Sequence, residues 1–197
     1  MKKSIYYSLL VSAMMSVSVA EETRQVDKHE HGVGVLNIAT EGSSINFEFM
    51  IPGADIVGFE YKAKSDSDIA IVNAALTKFE QFENIFTIPN SSNCTLADSM
   101  IEVDQDEDHD EHDDHDEHDD HDEHDDHDEH GEEAHNEFVA HYSFNCGNVK
   151  EIDRIDFPYF NTFPNSGELE VQFVSGVGST SFEVEGDKPF IDLKGKI

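Results

Sequence analysis

One repeat constrains the fold of this chain more than any other feature. Residues 109–130 read HDEHDDHDEHDDHDEHDDHDEH, in which the hexapeptide HDEHDD occurs three times from His109 and a fourth copy ends at His130. Because the repeat contains no apolar residue, it has nothing to bury in a core. We therefore predict that residues 104–133 form a disordered loop that is inserted in a folded domain.

The chemistry of the repeat predicts metal binding. Neutral imidazole is a ligand for zinc, copper and nickel, and carboxylates can complete the coordination shell. Because binding would have to order the loop, we expect modest affinity at each site and high total capacity. Because protons compete with metal for the histidines, we also expect loss of metal on mild acidification. Calcium bound by the carboxylates and a merely solvated run of charge are the alternatives. The predicted weaker ligands fall at every third position: His109, His112, His115, His118, His121, His124, His127 and His130.

The N-terminus is typical of a secretory signal peptide. Lys2 and Lys3 precede a mostly apolar run from Ile5 to Val19, and small residues at 18–20 suit a cleavage site. We predict that residues 1–20 are a signal peptide. No later apolar run approaches the length of a membrane span, so we expect no membrane insertion after cleavage.

The charge balance excludes one class of partner. The formal net charge is −32, and residues 104–133 contain many of the acidic residues and no basic one. The remainder is acidic too and has no basic stripe, so nucleic acid is not an expected partner. Cations are the natural partners of such a chain.

Two cysteines, Cys94 and Cys146, lie on either side of the repeat. An even number of cysteines in an exported protein predicts a disulfide, which would here hold both ends of the insert to the folded body. A cysteine metal site is the alternative, although the chain has no CxxC spacing.

Alternating apolar and polar residues predict two β-hairpins. The first joins residues 32–40 to 44–51, with Val33 and Val35 on one face of its first strand. The second joins residues 168–175 to 180–185. Further strands are predicted at residues 95–103, 137–146 and 149–157, and the tail from Pro189 could add an edge strand.

An apolar stripe at three- and four-residue spacing predicts a helix that Ser65 or Asp66 caps and Ile88-Pro89 ends. Its members are Ile69, Val72, Leu76, Phe79, Phe82 and Phe86. A short helix is predicted from Pro158 to Phe163. The expected fold class is α+β: antiparallel β-hairpins packed with two or more helices, in a single domain over residues 21–197.

Histidines outside the repeat suggest a folded metal site. His29 and His31 share one side of an extended chain, as do His135 and Glu137, with His141 further along the same face. These two clusters could complete a tetrahedral site if their strands pair.

Several segments taken together resemble the ZrgA-type periplasmic zinc-binding proteins of Gram-negative bacteria. They are HEHG (29–32), VLNIA (35–39), IPGADIVGFEY (51–61), HNEFVAHYSFNC (135–146) and FNTFPNSGELEVQ (160–172). The resemblance implies a periplasmic protein that helps deliver zinc to the binding component or permease of a high-affinity ABC importer.

The resemblance also implies a folded zinc site beside the His-rich loop. By position it makes His29, His31, His135 and Glu137 candidate ligands, with Glu60 near them. Related sequences often read GFEH where this chain reads GFEY, and Tyr61 is a poor zinc ligand.

Four functions compete. The first is capture of zinc for uptake, and the second is a metal buffer that sequesters excess zinc, copper or nickel. The third is a hydrolytic metalloenzyme, which we do not predict because the chain lacks HExxH and a nucleophile elbow. The fourth is an interaction module whose acidic repeats bind a basic partner.

Overall fold

A six-stranded β-sheet organises the computed structural model, which describes residues 32–105 and 136–197. Its strands are β1 (Val33–Glu41), β2 (Ser44–Pro52), β3 (Cys94–Gln105), β4 (Asn136–Cys146), β6 (Glu168–Val174) and β7 (Ser179–Glu185). Their order in the sheet is β3-β4-β2-β1-β6-β7. All neighbours are antiparallel except β1 and β6, which run parallel.

A second, two-stranded sheet pairs β5 (Arg154–Asp156) with β8 (Phe190–Asp192). The predicted strand 149–157 is therefore mostly wrong, since Val149–Glu151 form a 3₁₀ turn and only three residues are extended. The tail does form an edge strand, but it belongs to this small sheet. The short helix predicted after Pro158 is present as α3 (Tyr159–Thr162).

The predicted α+β fold is wrong. The protein is β-rich, and two of the three α-helices in its described residues, α1 (Gly53–Val57) and α3, have five and four residues. Both predicted hairpins are confirmed, but they are joined into one mixed sheet by the β1–β6 pairing, which places Val33 beside Glu168. That contact joins residues far apart in the chain, so no local pattern predicts it.

The third helix, α2 (Asp66–Glu80), confirms the predicted cap but not the predicted end. The Ser65 hydroxyl accepts a hydrogen bond from the Asp68 backbone N–H over 3.1 Å. The helix ends at Glu80, well before Pro89. The chain turns there because Phe86 leaves the helical stripe and packs in the sheet core, 4.1 Å from the Phe47 ring centroid. Tertiary packing thus overrides local helix periodicity.

One face of the large sheet carries the core. The ring of Phe79 stacks on Phe138 with centroids 6.0 Å apart, and the Tyr142 hydroxyl donates to the Phe79 carbonyl over 2.6 Å. Burial raises the pKa of Tyr142, so this donor stays protonated. In β1 the buried hydrophobic residues are Leu36 and Ile38, whereas Val33 and Val35 share the other face, as predicted, and are half-buried.

The opposite face of the sheet is not covered by any other element among residues 32–105 and 136–197. Most of its side chains along β1, β2 and β4 are half-buried, and those of β3 are mostly exposed. Within the same ranges, no helix is long and apolar enough to cross a membrane.

The aromatic core gives a direct test of this packing. Phe86 is fully buried against Phe47, Tyr142 and Phe144. We expect Phe86→Ala to lower the free energy of unfolding by about 3–5 kcal/mol, because it leaves a cavity among the aromatic side chains of the sheet core. Urea unfolding followed by far-UV circular dichroism measures the loss. The control is Ile71→Ala on α2, whose side chain is 46% exposed and should change stability by less than about 0.5 kcal/mol. Equal effects of the two substitutions would contradict the packing.

Candidate metal site at one end of the sheet

Several chain segments meet at one end of the large sheet. β1 begins there after Gly32, β2 ends there at Pro52, and Gln105 of β3 pairs with Asn136 of β4. In the sequence, His31 immediately precedes Gly32 and His135 immediately precedes Asn136. The fold therefore brings together the described neighbours of the predicted folded-site histidines. His29, His31 and His135 themselves lie outside the described residues.

A buried carboxylate fixes the start of β1. Asp55, in the first turn of α1, is 3% exposed, and its Oδ1 accepts a hydrogen bond from the Gly32 backbone N–H over 2.9 Å. The Gly32 carbonyl in turn accepts from the N–H groups of Gly167 and Glu168 at 3.0 and 2.8 Å. Since Gly32 has a φ of 88°, a side chain at this position would be strained. The residue that follows His31 is thus held from two sides.

The same carboxylate influences the neighbouring aromatic core. Burial raises the pKa of the Tyr159 hydroxyl, and the negative charge of Asp55 raises it further, against the effect of a hydrogen bond with Ser166. The Tyr159 and Ser166 hydroxyl oxygens are 2.6 Å apart. The Asp55 carboxylate therefore lies near enough to Tyr159 for its charge to act on the pKa of that hydroxyl.

A buried amide fixes the start of β4. Asn136 is 2% exposed, and its Nδ2 donates to the Tyr61 carbonyl over 3.2 Å. Its Oδ1 lies where a Cβ at Gly53 would have to be, with only 1.3 Å between the two positions. Only glycine at position 53 permits this approach, so α1 and the 58–61 segment close directly onto β4.

The predicted carboxylate ligands lie near this end. Glu137 is half-buried and pairs across the strands with Pro52 and with Asp104. Glu60 is also half-buried, and it precedes the residue whose carbonyl Asn136 holds. The Tyr61 ring is 55% exposed and stacks on Phe59 with centroids 4.6 Å apart, so its ring packs on a neighbour at the surface.

His141 lies apart from this group. It is four residues beyond Glu137 along β4, a separation of about 13 Å in an extended strand. Its Nδ1 is 3.8 Å from Glu48 Oε1, on the uncovered face of the sheet. The structure therefore separates His141 from the end of the sheet that the other candidates share.

Within residues 32–105 and 136–197, no group of three or more His, Cys, Asp or Glu side chains could hold a metal ion. The eight predicted loop ligands, His109 to His130, also lie outside those ranges, as do residues 1–31 with the expected signal peptide. The ligand set therefore stays a prediction.

The predicted disulfide between Cys94 and Cys146 is confirmed, but its place differs from the expectation. The two cysteines pair at the beginning of β3 and the end of β4, whereas the insert follows Gln105 and precedes Asn136, which pair at the opposite end of the two strands. About ten residue pairs, or roughly 35 Å of strand, separate the two places. Strand pairing, not the disulfide, holds the ends of the insert at the body. The disulfide fastens the opposite end of the same strand pair.

Sequence reasoning missed Asp55, Asn136 and Gly53, which build this end of the sheet. A weak signal was available: an acidic residue and a glycine directly after the apolar strand in IPGAD suggest a helix start with a buried contact. The partner of each residue lies far away in the chain, so the sequence alone does not identify the contact.

A protein-family model for ZrgA family zinc uptake proteins matches residues 28–193 of the 197. The chain belongs to this family. The match spans both described parts and the insert between them, which confirms the resemblance of the HEHG and HNEFVAHYSFNC segments. No curated protein matches the chain at a significant level. Zinc is thus the metal to consider, and the family is one of uptake proteins rather than enzymes.

The close approach of Gly53 and Asn136 predicts a coupled pair. We expect Gly53→Ala to destabilise the protein by about 1–3 kcal/mol, because its methyl group would displace the Asn136 amide. In an Asn136→Ala background the penalty should shrink, leaving only the contact with the Phe59 carbonyl. Urea unfolding of the single and double variants measures the coupling.

The matched control is Gly176→Ala, because an added Cβ there meets no heavy atom within 4 Å. It should change the free energy of unfolding by less than about 0.5 kcal/mol. An identical penalty for Gly53→Ala with and without Asn136 would contradict the contact.

Proposed function

We propose that this protein captures zinc in the periplasm and assists its uptake by delivering it to a high-affinity ABC importer. The observation that carries the proposal is the shared end of the sheet: the segment with eight regularly spaced histidines joins the body beside the segments that lead to His31 and His135. Family membership in zinc uptake supports the choice of metal.

The geometry of the sheet supports a folded site there. β2 separates β1 from β4, so the starts of β1 and β4 are two strand spacings, about 10 Å, apart. His31 lies one residue from Gly32 and His135 one residue from Asn136, a Cα separation of about 3.8 Å in each case. Imidazoles from both segments can therefore reach one ion, and Glu137 offers an oxygen ligand from β4. Zinc in proteins commonly takes four such nitrogen and oxygen ligands.

The insert suits the role of a collector. Its dense carboxylates raise the local concentration of cations, and its histidines offer many exchangeable imidazole ligands. Because β3 and β4 bring both of its ends to the end of the sheet where we propose the folded site, an ion released by the insert would already be near the tighter ligands. Capture by many weak ligands and retention by a few fixed ones is the division of labour that we propose.

Export and the recipient belong to the same proposal. The basic and apolar character of residues 1–20 supports export, and the family description supports a role in uptake. The recipient would be the binding component or the permease of the importer. The absence of any catalysed reaction stays a prediction.

A metal buffer that sequesters excess zinc, copper or nickel is the second candidate. The number of histidines in the repeat favours it, since capacity is what a buffer requires. The folded end of the sheet favours uptake, because a sink does not need a separate, selective site.

Calorimetry with zinc separates the two classes of site. Because β3 extends to Gln105, the insert should be removed by replacing residues 106–134 with a short Gly-Ser linker, which keeps Asp104 and His135. We expect one tight site to survive and the weaker sites to disappear. His31→Ala and His135→Ala should each weaken zinc binding at the tight site at least tenfold. Even the loss of an outer-shell hydrogen-bond partner of a metal ligand typically costs about tenfold or more.

Asn73→Ala, on the exposed side of α2, serves as the matched control and should leave zinc affinity unchanged. His141→Ala decides whether that residue contributes, and its distance from Glu137 predicts no change in the tight site. Disappearance of all tight binding when residues 106–134 are replaced would rule out the folded site.

Growth of a deletion strain distinguishes uptake from buffering. Under zinc chelation we expect the strain to stop growing at a lower chelator concentration than its parent, because less zinc reaches the importer. A buffer predicts the reverse pattern: normal growth with chelator and sensitivity to added zinc. Complementation with the His31→Ala and His135→Ala variants, at matched protein levels, then connects the phenotype to the folded site.

A further inference from the structure

The six strands of the large sheet contain acidic residues but no basic ones. Neither lysine nor arginine occurs in any of them. Every carboxylate in these strands lies on the uncovered face, since side chains alternate and the other face is the apolar core. The described lysines and arginine instead lie on the loops, on α2, or around the small sheet: Lys62, Lys64, Lys78, Lys150, Arg154, Lys188, Lys194 and Lys196.

Contacts place two of these cations on the core side of the sheet. Lys78 Nζ lies 5.0 Å from the ring centroid of Phe163, and Lys196 Nζ lies 5.8 Å from that of Phe182. The uncovered face, which we call the acidic face, is therefore negative without cationic neighbours on its own strands.

The acidic face has two carboxylate borders. On one side, Glu170 and Glu183 are directly opposed across β6 and β7. On the other, Asp98 and Glu102 project from the edge strand β3. Like charges opposed across strands destabilise the isolated sheet, which a cationic partner would relieve.

The centre of the acidic face is apolar. Met50 pairs with Val35 on one side and with Val139 on the other, and all three side chains are half-buried. None of the three packs against the described core. An apolar centre with a charged border is the arrangement found in protein interfaces.

A cleft of about 410 Å³ opens on this face. Glu48 stands in its wall, where Asn37 Nδ2 donates to Glu48 Oε2 over 3.0 Å and the His141 imidazole lies beside Oε1. Asp98 and Val174 also line the cleft. It therefore combines carboxylates with an apolar wall, which suits the aliphatic stem and cationic head of a lysine or arginine side chain.

We infer that the acidic face docks a protein domain whose surface presents lysine and arginine side chains around an apolar centre, with one cationic side chain entering the cleft beside Glu48. Nucleic acid and anionic membranes carry the same sign of charge as this face and are repelled. A second copy of the chain and the acidic insert are repelled for the same reason.

The size of the face fits a short-lived complex. Six strands about 4.8 Å apart and roughly 20 Å of strand length give a projected area on the order of 500 Å². That value is at the lower end for specific interfaces, where transient encounters are found. Charge complementarity mainly accelerates such encounters and makes them sensitive to salt.

The inference rests on the proposed function in one respect, since it takes the partner to be the zinc recipient. The probe is the purified zinc-binding component of the ABC importer from the same bacterium, titrated at low and at physiological salt. We expect binding that weakens roughly tenfold as salt rises, and amide shifts by NMR confined to the six strands that form the acidic face.

Charge reversal provides the decisive comparison. The double variant Glu170→Lys/Glu183→Lys should weaken docking roughly tenfold or more, while zinc affinity and thermal midpoint stay unchanged. The matched control is Glu80→Lys/Glu83→Lys, which makes the same change in net charge at the exposed end of α2 and just after it, away from the acidic face. This control should dock like the wild type. The neutral variant Glu170→Gln/Glu183→Gln should fall between the two.

The other outcomes overturn the inference. They are no binding by the wild-type protein, equal losses in both charge-reversal variants, or amide shifts on the α2 side. Dimerisation of the wild-type protein through the acidic face, or acidic-face shifts when residues 106–134 are replaced, would mean that the chain covers this face itself. Zinc titration of the same samples separates these failures from failure of the proposed function, because zinc capture does not require docking.

Discussion

The burial of one face of the six-stranded sheet is the constraint on which the rest of the structure depends. Phe47, Phe86 and Tyr142 pack between that face and the segment that follows α2, and the segment bends to place Phe86 there. Because strand side chains alternate, the same burial sends every strand carboxylate to the opposite face. The hydrophobic core and the acidic face therefore both follow from the alternation of side chains between the two faces of each strand.

The ends of the sheet serve different purposes. At one end the Cys94–Cys146 disulfide fastens β3 to β4. At the other end, Asp55 and Asn136 hold the starts of β1 and β4, and both ends of the insert join the body. A buried carboxylate and a buried amide are costly unless they make hydrogen bonds, so their placement at this end indicates that its geometry matters. The site that we propose lies beside these two hydrogen-bonded groups.

Local patterns predicted much of the fold and only part of the site. The β1–β2 and β6–β7 hairpins, strand β4 and the Ser65 cap followed from alternation and capping chemistry. The helix was predicted too long because Phe86 packs in the core of the sheet. The fold class was wrong because β1 pairs in parallel with β6 and joins the hairpins into one sheet. The roles of Asp55 and Gly53 depend on partners distant in the chain. For the same reason, the position of His141 beside Glu48 emerged only from the strand register.

The sequence by itself determined the chemistry of this protein: a dense series of imidazoles and carboxylates, an export signal pattern, two cysteines and the segments that place it in a zinc uptake family. These properties reside in residue identity and local spacing, which do not depend on folding. The tertiary structure alone decided that the insert, Gly32 and Asn136 meet at one end of the sheet, and that the disulfide lies at the other. Those relations arise from strand order and register, which are set by burial summed over the whole sheet and by no single segment.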